Sequence, residues 1–346
     1  MSRTRYQVVA RRLCSTLTFV ILMLTYSTSA FAGTIVGWGG NTYGQVSGIP
    51  EGDDIVDISA GLYHGLALRR DGSIAAWGYD RSGVVSGTPT GSGFVKVIAG
   101  YFDSVALRQD GSLVNWGLLR TGAFIDLSLV GSGFHSVAAG NRTVYALRAD
   151  GSIGSWGINQ YSQISNTPTG TGFIQIAAGQ THAYALRANG SIAAWGRDHY
   201  GQVSSTPTGT GYIGIAAYLE GGIALRADGS VITWGQDGDF ANLKRDTPTE
   251  FGFTSVAGST GGHVFAIRPD RSLVSWGWNH VGQASQTPKN LPFTKVMGGF
   301  DFGIALTPDR APVPEPGTAI LGMIGSIAIL ARSRFARHRS RADTWI

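Results

Sequence analysis

Ile174-Gln-Ile-Ala-Ala178, Tyr184-Ala-Leu-Arg187 and Ser191-Ile-Ala-Ala-Trp195 are three short runs of β-forming and small residues, and Asn189-Gly190 separates the second from the third. Asn-Gly between apolar runs signals a tight hairpin, in which both central residues are expected at positive φ. A weaker fourth run follows at Gln202-Val203-Ser204. Three or four strands thus fall within about 40 residues, and no helical apolar period interrupts them.

The same wording returns along the chain. Trp-Gly pairs stand at Trp38, Trp77, Trp116, Trp156, Trp195, Trp234 and Trp276, with spacings of 39, 39, 40, 39, 39 and 42. A second marker, Leu68-Arg-Arg-Asp71-Gly72-Ser73, keeps the same beat at Leu107, Leu147, Leu186, Leu225 and Ile267, and a worn copy begins at Leu306. Five copies carry Asp-Gly or Asn-Gly, whereas Asp270-Arg271 and Asp309-Arg310 lack the glycine and are expected to turn differently. Seven repeats of this length and strand content imply an all-β fold, a seven-bladed β-propeller. The Trp column is expected to pack between adjacent blades as framework rather than to bind a ligand.

The first Trp-Gly, in Thr34-Ile-Val-Gly-Trp38, has no hairpin marker before it, and the last marker has no Trp-Gly after it. The two halves complement each other. The N-terminal strand is therefore expected to close the ring by completing the final blade, leaving no free sheet edge there.

Ala60-Gly61-x-x-His64-x-x-Ala67-Leu68, Asp71-Gly72-Ser73, Trp77-Gly78 and Trp38-Gly39-Gly40-Asn41-x-x-Gly44-Gln45 resemble the repeat of RCC1-type seven-bladed propellers. The resemblance spans nearly all of residues 34–310, with departures at Thr121–Val130 and Phe253–His263. It implies a propeller that binds other molecules. The repeats are shorter than those of the nuclear founder and closer to secreted bacterial relatives, among them a propeller that inhibits β-lactamases. The nucleotide-exchange activity of the nuclear protein is not implied, because its additional loop has no counterpart and this chain carries export signals.

Charge divides the chain into the same parts. The formal net charge is +5, but residues 1–32 carry +4, residues 312–346 carry +3, and 33–311 carry −2. The body thus lacks the basic excess needed for nucleic-acid binding. A hydrophobic content of 43% excludes wholesale disorder, and a single cysteine, Cys14, excludes a disulfide scaffold.

In residues 1–32, a basic segment ends at Arg12, an apolar stretch runs through Leu17 to Leu24, and Ala30-Phe31-Ala32 closes the segment. This is the order of a cleavable N-terminal signal peptide with an A-x-A site, placing the mature start at Gly33. A retained anchor is the competing reading, and the short apolar core disfavours it. At the other end, Pro314-Glu315-Pro316 precedes an apolar run from Ala319 to Ala331 and then Arg332, Arg334, Arg337, Arg339 and Arg341. The run is expected to form a short C-terminal transmembrane helix with its arginines on the cytoplasmic side. The segment resembles the PEP-CTERM sorting signal of Gram-negative bacteria that make exopolysaccharide. That resemblance implies transient inner-membrane anchoring, processing by an exosortase-type enzyme, and delivery to the cell surface or outside. An ordinary single-pass anchor is the alternative. The organisation read from sequence is therefore signal peptide 1–32, propeller 33–311 and sorting signal 312–346.

No segment of the body meets the requirements of a catalytic motif. Gly209-Thr-Gly211-Tyr-Ile-Gly214 matches a dinucleotide fingerprint by letters, but no helix follows and its sibling copies lack the third glycine, so it reads as a repeat connector. His64, His182 and His263 share one column in different repeats and read as separate strand-end histidines, not a metal site. Asp237-Gly-Asp239 lacks the remaining carboxylates of a calcium loop. No catalytic residue, metal or cofactor is expected.

A constant framework with variable loops is how repeat proteins present a binding surface. After each Trp-Gly the loops vary and offer Tyr43, Tyr79, Tyr161, Tyr200, Phe240 and Trp278 beside polar groups. These side chains form the candidate binding rim, suited to an extracellular polysaccharide or a protein partner. The expected function is an exported, non-catalytic binding or structural propeller at the cell surface or in the exopolysaccharide matrix. The alternatives are an inhibitor of a secreted or periplasmic enzyme and a hydrolase, the latter needing paired carboxylates at one mouth of the channel.

Overall fold

The computed structural model describes residues 33–117, 127, 130–236 and 242–308. The expected signal segment with Ala30 and Ala32, the tail with Pro314, Glu315, Pro316, Arg332 and Arg334, and the loop residues Asp237, Asp239 and Phe240 lie outside the described residues.

Among the described residues, twenty-one strands form seven three-stranded antiparallel sheets. A first strand, β1 (Ile35–Gly39), precedes blade one, which holds β2 (Ile55–Ala60), β3 (His64–Arg69) and β4 (Ile74–Gly78). Blade two holds β5 (Phe94–Ala99), β6 (Asp103–Arg108) and β7 (Leu113–Gly117), and blade three β8 (Phe134–Ala139), β9 (Thr143–Arg148) and β10 (Ile153–Gly157). Blade four holds β11 (Phe173–Ala178), β12 (His182–Arg187) and β13 (Ile192–Gly196), and blade five β14 (Tyr212–Tyr218), β15 (Gly221–Arg226) and β16 (Val231–Gly235). Blade six holds β17 (Ser255–Ala257), β18 (His263–Ile267) and β19 (Leu273–Gly277). Blade seven pairs β20 (Lys295–Gly298) and β21 (Phe302–Leu306) with β1, in the order β1-β21-β20, so the N-terminal strand completes the last blade as expected.

The first strands of successive blades, β2, β5, β8, β11, β14, β17 and β20, neighbour one another in a ring and line the axis. The core lies between blades, where an apolar cluster joins each sheet to the next. Ile58 and Trp77 of blade one, for instance, pack with Phe302 and Ile304 of blade seven. Burying a large apolar side chain in this way stabilises by roughly 1.5–3 kcal/mol. The recurring Trp does what its column implies. Trp77 Nε1 donates to Gln45 O of the preceding blade at 2.8 Å, and Trp38, Trp116, Trp195 and Trp234 make the same bond to Gln283, Val84, Gln163 and Gln202. Gly65 faces Trp77 so closely that a Cβ there would meet the ring at 2.3 Å.

Two local expectations are corrected. Gln202-Val203-Ser204 is a turn, not a fourth strand: Asp198 Oδ1 accepts from the backbone N–H groups of Val203 and Ser204, curling the segment away from the sheet. In the hairpins only the glycine takes positive φ, as in Gly72 (81°) and Gly190 (79°). Arg69 O accepts from Gly72 N while Arg69 N donates to Ser73 O, the pattern of a three-residue loop with a type I turn followed by a left-handed residue. Blade six keeps this turn without glycine, because Arg271 itself takes φ 68° and donates to Arg268 O. The Asp309-Arg310 turn lies outside the described residues.

Candidate functional site

The described loops after Trp-Gly share one face, here the rim face, with the loops joining the first and second strands of each blade. Tyr79 N, for example, donates to Tyr63 O. The opposite face carries the hairpin turns, and there the connector glycines Gly209 and Gly211 lead directly into β14 at positive φ, as a connector should.

Two framework residues build the described rim loops, an Asn or Asp in five of them and a glutamine in four. Asn41 Oδ1 accepts from the backbone of Val46 and Ser47, and Asp80, Asn159, Asp198 and Asn279 do the same in their own loops. Two residues beyond the presented side chain, a fully buried glutamine reaches back to it. Gln45 Oε1 accepts from Tyr43 N, Gln163 Oε1 from Tyr161 N, and Gln202 Oε1 from Tyr200 N, at 2.7–2.8 Å. The aromatic side chains are thereby presented on a fixed backbone, which lowers the ordering cost of binding.

These rings divide into two groups. Tyr79 lies 4.5 Å from Tyr43, Tyr43 5.2 Å from Tyr63, Tyr63 5.7 Å from Phe300, Phe300 4.9 Å from Trp278, and Trp278 5.5 Å from His280. The result is a continuous aromatic arc across blades six, seven and one. Beside it Asp301, whose carboxyl burial pushes up, accepts from Gln45 Nε2 at 3.4 Å. Of the sequence-expected rim residues, Tyr43, Tyr79 and Trp278 meet here. Tyr161 and Tyr200 belong to a separate cluster on blades three and four, where the Arg197 guanidinium lies 5.1 Å from the Tyr161 ring and 5.9 Å from the Tyr200 ring. Arg197 also pairs at 3.5 Å with Glu220, a buried carboxyl that desolvation raises and that accepts from Gln202.

Sequence reasoning missed Tyr63 and Phe300, which join the arc. Both occupy the variable x-x positions inside the Gly-x-x-His marker, where the repeats read Leu62-Tyr63, Tyr101-Phe102, Gln180-Thr181 and Phe300-Asp301. Comparing those positions across repeats is the signal that finds them.

The histidine column serves the framework. His64 Nε2 lies 3.0 Å from Ser104 Oγ, and His182 Nε2 lies 3.1 Å from Gly221 O, each reaching into the following blade. Burial pushes His64, His182 and His263 down to about 4. Asp103 occupies the same column in blade two, and burial pushes its carboxyl up to about 7.

Residues 55–84 and 173–202 match the family model described as the regulator of chromosome condensation (RCC1) repeat. No curated protein sequence matches the chain. Among solved structures, Prp20p of Saccharomyces cerevisiae is similar at 17% identity and a TM-score of 0.65, over 82% of this chain and 93% of that one. Human WBSCR16 is similar at 16% identity and a TM-score of 0.64, over 81% of this chain and 100% of that one. The ectodomain of the Physcomitrella patens receptor kinase CR4 is similar at 19% identity and a TM-score of 0.62, over 74% and 71% respectively. At such identities the likeness is one of fold. Repeat wording, seven three-stranded sheets and these structures together make the described chain an RCC1-like β-propeller.

Proposed function

We propose that this is an exported, non-catalytic propeller whose rim over blades six, seven and one grips a protein partner at the cell surface or in the exopolysaccharide matrix. The observation that carries the reading is the unbroken aromatic arc from Tyr79 to His280. Aromatic side chains on a rigid backbone give large contact area at small entropic cost, and they dominate protein interfaces. A protein clamp calls for such continuity between blades, whereas a glycan binder is served by separate, blade-local pockets. The structure of Prp20p is described together with its binding to Gsp1p and histones, so propellers of this fold do serve as protein-binding scaffolds. Export rests on the sequence of the two ends: the signal-peptide pattern, Pro314-Glu315-Pro316, the apolar run and Arg332 with Arg334, read as a tail that an exosortase-type enzyme processes. Inhibition of a secreted or periplasmic enzyme is one form this protein binding would take.

The blade-local group Tyr161, Arg197 and Tyr200 favours a second reading, stacking on a sugar of the matrix polysaccharide. Affinity capture by the immobilised protein from the producing cells' envelope and secreted material separates the two. Protease-sensitive capture that is lost when Tyr43, Tyr79, Tyr200 and Trp278 are together replaced by Ala supports the clamp. Periodate-sensitive capture supports the polysaccharide. Capture unchanged by the quadruple replacement in a folded protein removes the rim from either reading.

A further inference from the structure

The axial cavity is a second candidate site, independent of the rim. Its wall is made by the inward-facing residues of the seven first strands, which alternate with period two. The layer nearer the turn face is polar: Asp57, Lys96, Ser136, Gln175, Gly214, Ser255 and Lys295 hold equivalent positions. The next layer is largely apolar, with Ile98, Ala138, Ala177, Ala216, Ala257 and Met297. Beyond it, on the rim side, the buried Tyr101 of blade two reaches across the axis and donates to Thr260 O of blade six at 3.1 Å, capping that end. The cavity offers about 280 Å³ and is partly open to solvent.

The charge in the polar layer is unbalanced. Lys295 pairs with Asp57, while Lys96 donates only to Ser136 Oγ, at 3.3 Å, among the described residues. Each ammonium therefore retains N–H groups without a protein acceptor, and the layer carries a net positive charge. Burial and the neighbouring Lys295 lower the Lys96 ammonium, and Asp57 offsets only part of this, so an anion that reaches Lys96 would relieve the remaining electrostatic cost. Gln175 is already occupied, bonded both to Ile215 O and Ile215 N, and holds the wall rather than the mouth.

In blades one to five the first strand shifts register just after its opening residue. Three of the residues at the shift, Val95, Ile174 and Ile213, are 48%, 54% and 57% exposed, and the polar His135 of blade three is exposed as well. The sequence places Ile174 within a β-like run, and the bulge sets it outside the paired register. A cationic layer and a largely apolar layer capped by Tyr101 follow one another along the axis.

We propose that the axial cavity binds a small carboxylate with an apolar body, the chain lodged against Ile98, Ala177 and Met297 and the carboxylate held between Lys96 and Lys295. A cavity of about 150 Å³ holds benzene, so this one has room for a six-carbon chain or an aromatic acid.

Calorimetric titration of the full chain with hexanoate, benzoate, hexanol, hexylamine and sulfate tests the assignment, with a thermal melt beside each titration. Hexanoate and benzoate are expected to bind one per chain and to raise the melting temperature in a saturable way. Hexylamine is expected not to bind, and hexanol and sulfate at least tenfold more weakly than hexanoate. Lys96→Met is expected to weaken hexanoate at least tenfold while leaving hexanol unchanged, and Ala177→Phe to abolish hexanoate by filling the cavity. Absence of carboxylate binding to the folded wild-type chain overturns the proposal. So does hexanol or sulfate binding as tightly as hexanoate, since the apolar body and the charge would then not be read together.

Discussion

Ile35 of the first strand lies opposite Leu306 of the last, and the pairing continues in register to Gly39 opposite Phe302. Two segments almost a full chain length apart thus share one sheet, and Trp38 binds Gln283 of blade six from within it. Removing residues 34–40 takes away this strand, its Trp and the cover over β21. The shortened protein is expected to aggregate or to lose cooperative unfolding, because an unpaired edge and an uncovered core remain. A calorimetric melt unchanged from the full chain would show that the ring does not depend on this closure.

Burial keeps His64, His182 and His263 neutral, each held near 4 against an ordinary value of 6.5. A depressed folded value means that their contribution to stability is complete above the unfolded value of 6.5 and is lost as pH falls through about 4. Asp103 works in the opposite sense. Burial raises it to about 7, so its contribution is present below 3.8 and is lost as pH rises through 7. Between pH 6.5 and 4, three histidines therefore act against Asp103, the most strongly raised carboxyl among the described residues, with Glu220 and Asp301 raised in the same sense; a fully shifted group moves stability by about 1.4 kcal/mol per pH unit. Unfolding free energy is expected to fall on acidification through that window, and His182→Asn to remove one histidine's share of the slope. Urea melts at pH 7, 6 and 5 measure it, and equal stability at all three would mean the imidazoles titrate normally.

The ring was legible in the sequence because its constraints recur at fixed intervals. Five of the Trp residues donate to a carbonyl of the previous blade, and Trp38, Trp77 and Trp234 each face a glycine, Gly303, Gly65 and Gly222, so these features recur with the repeat. Ring closure was legible for the same reason, since Trp38 lacked a marker that Leu306 supplied. The rim was only half legible. Tyr43 and Tyr79 stand in visibly variable loops, whereas Tyr63 and Phe300 hide inside the constant marker, and folding brings two loop sets onto one face. The cavity was not legible at all, because Lys96 and Lys295 are nearly two hundred residues apart and only ring closure makes them near neighbours around Asp57. The bulge at Ile174 likewise leaves no mark in a pattern of alternating residues.

Arg271 occupies a left-handed position that glycine fills in five other blades. A residue with a Cβ gives up about 1–2 kcal/mol there, while glycine adds some entropy to the unfolded chain. Arg271→Gly is therefore expected to stabilise the protein by about 0.5–1 kcal/mol, and Gly190→Arg to destabilise it by about 1–2 kcal/mol. Denaturant midpoints at constant m-value decide the matter. A less stable Arg271→Gly protein would mean that the arginine side chain contributes more than its backbone strain costs.

Tyr63 is the hinge of the rim, in contact with Tyr43, Tyr79 and Phe300 at once. Tyr63→Ala breaks the arc into two pieces and leaves the Gln45 and Asn41 clamps on the loop backbone untouched. Binding of the captured protein partner is expected to weaken at least tenfold, in the range of an interface hot spot, with little change in melting temperature. Tyr161→Ala, on the separate cluster beside Arg197, is expected to weaken it less than threefold. The comparison tests continuity itself, because both replacements remove one tyrosine from the same face. Equal losses would mean that the partner spans both clusters, and a larger loss at Tyr161 would move the binding face to blades three and four.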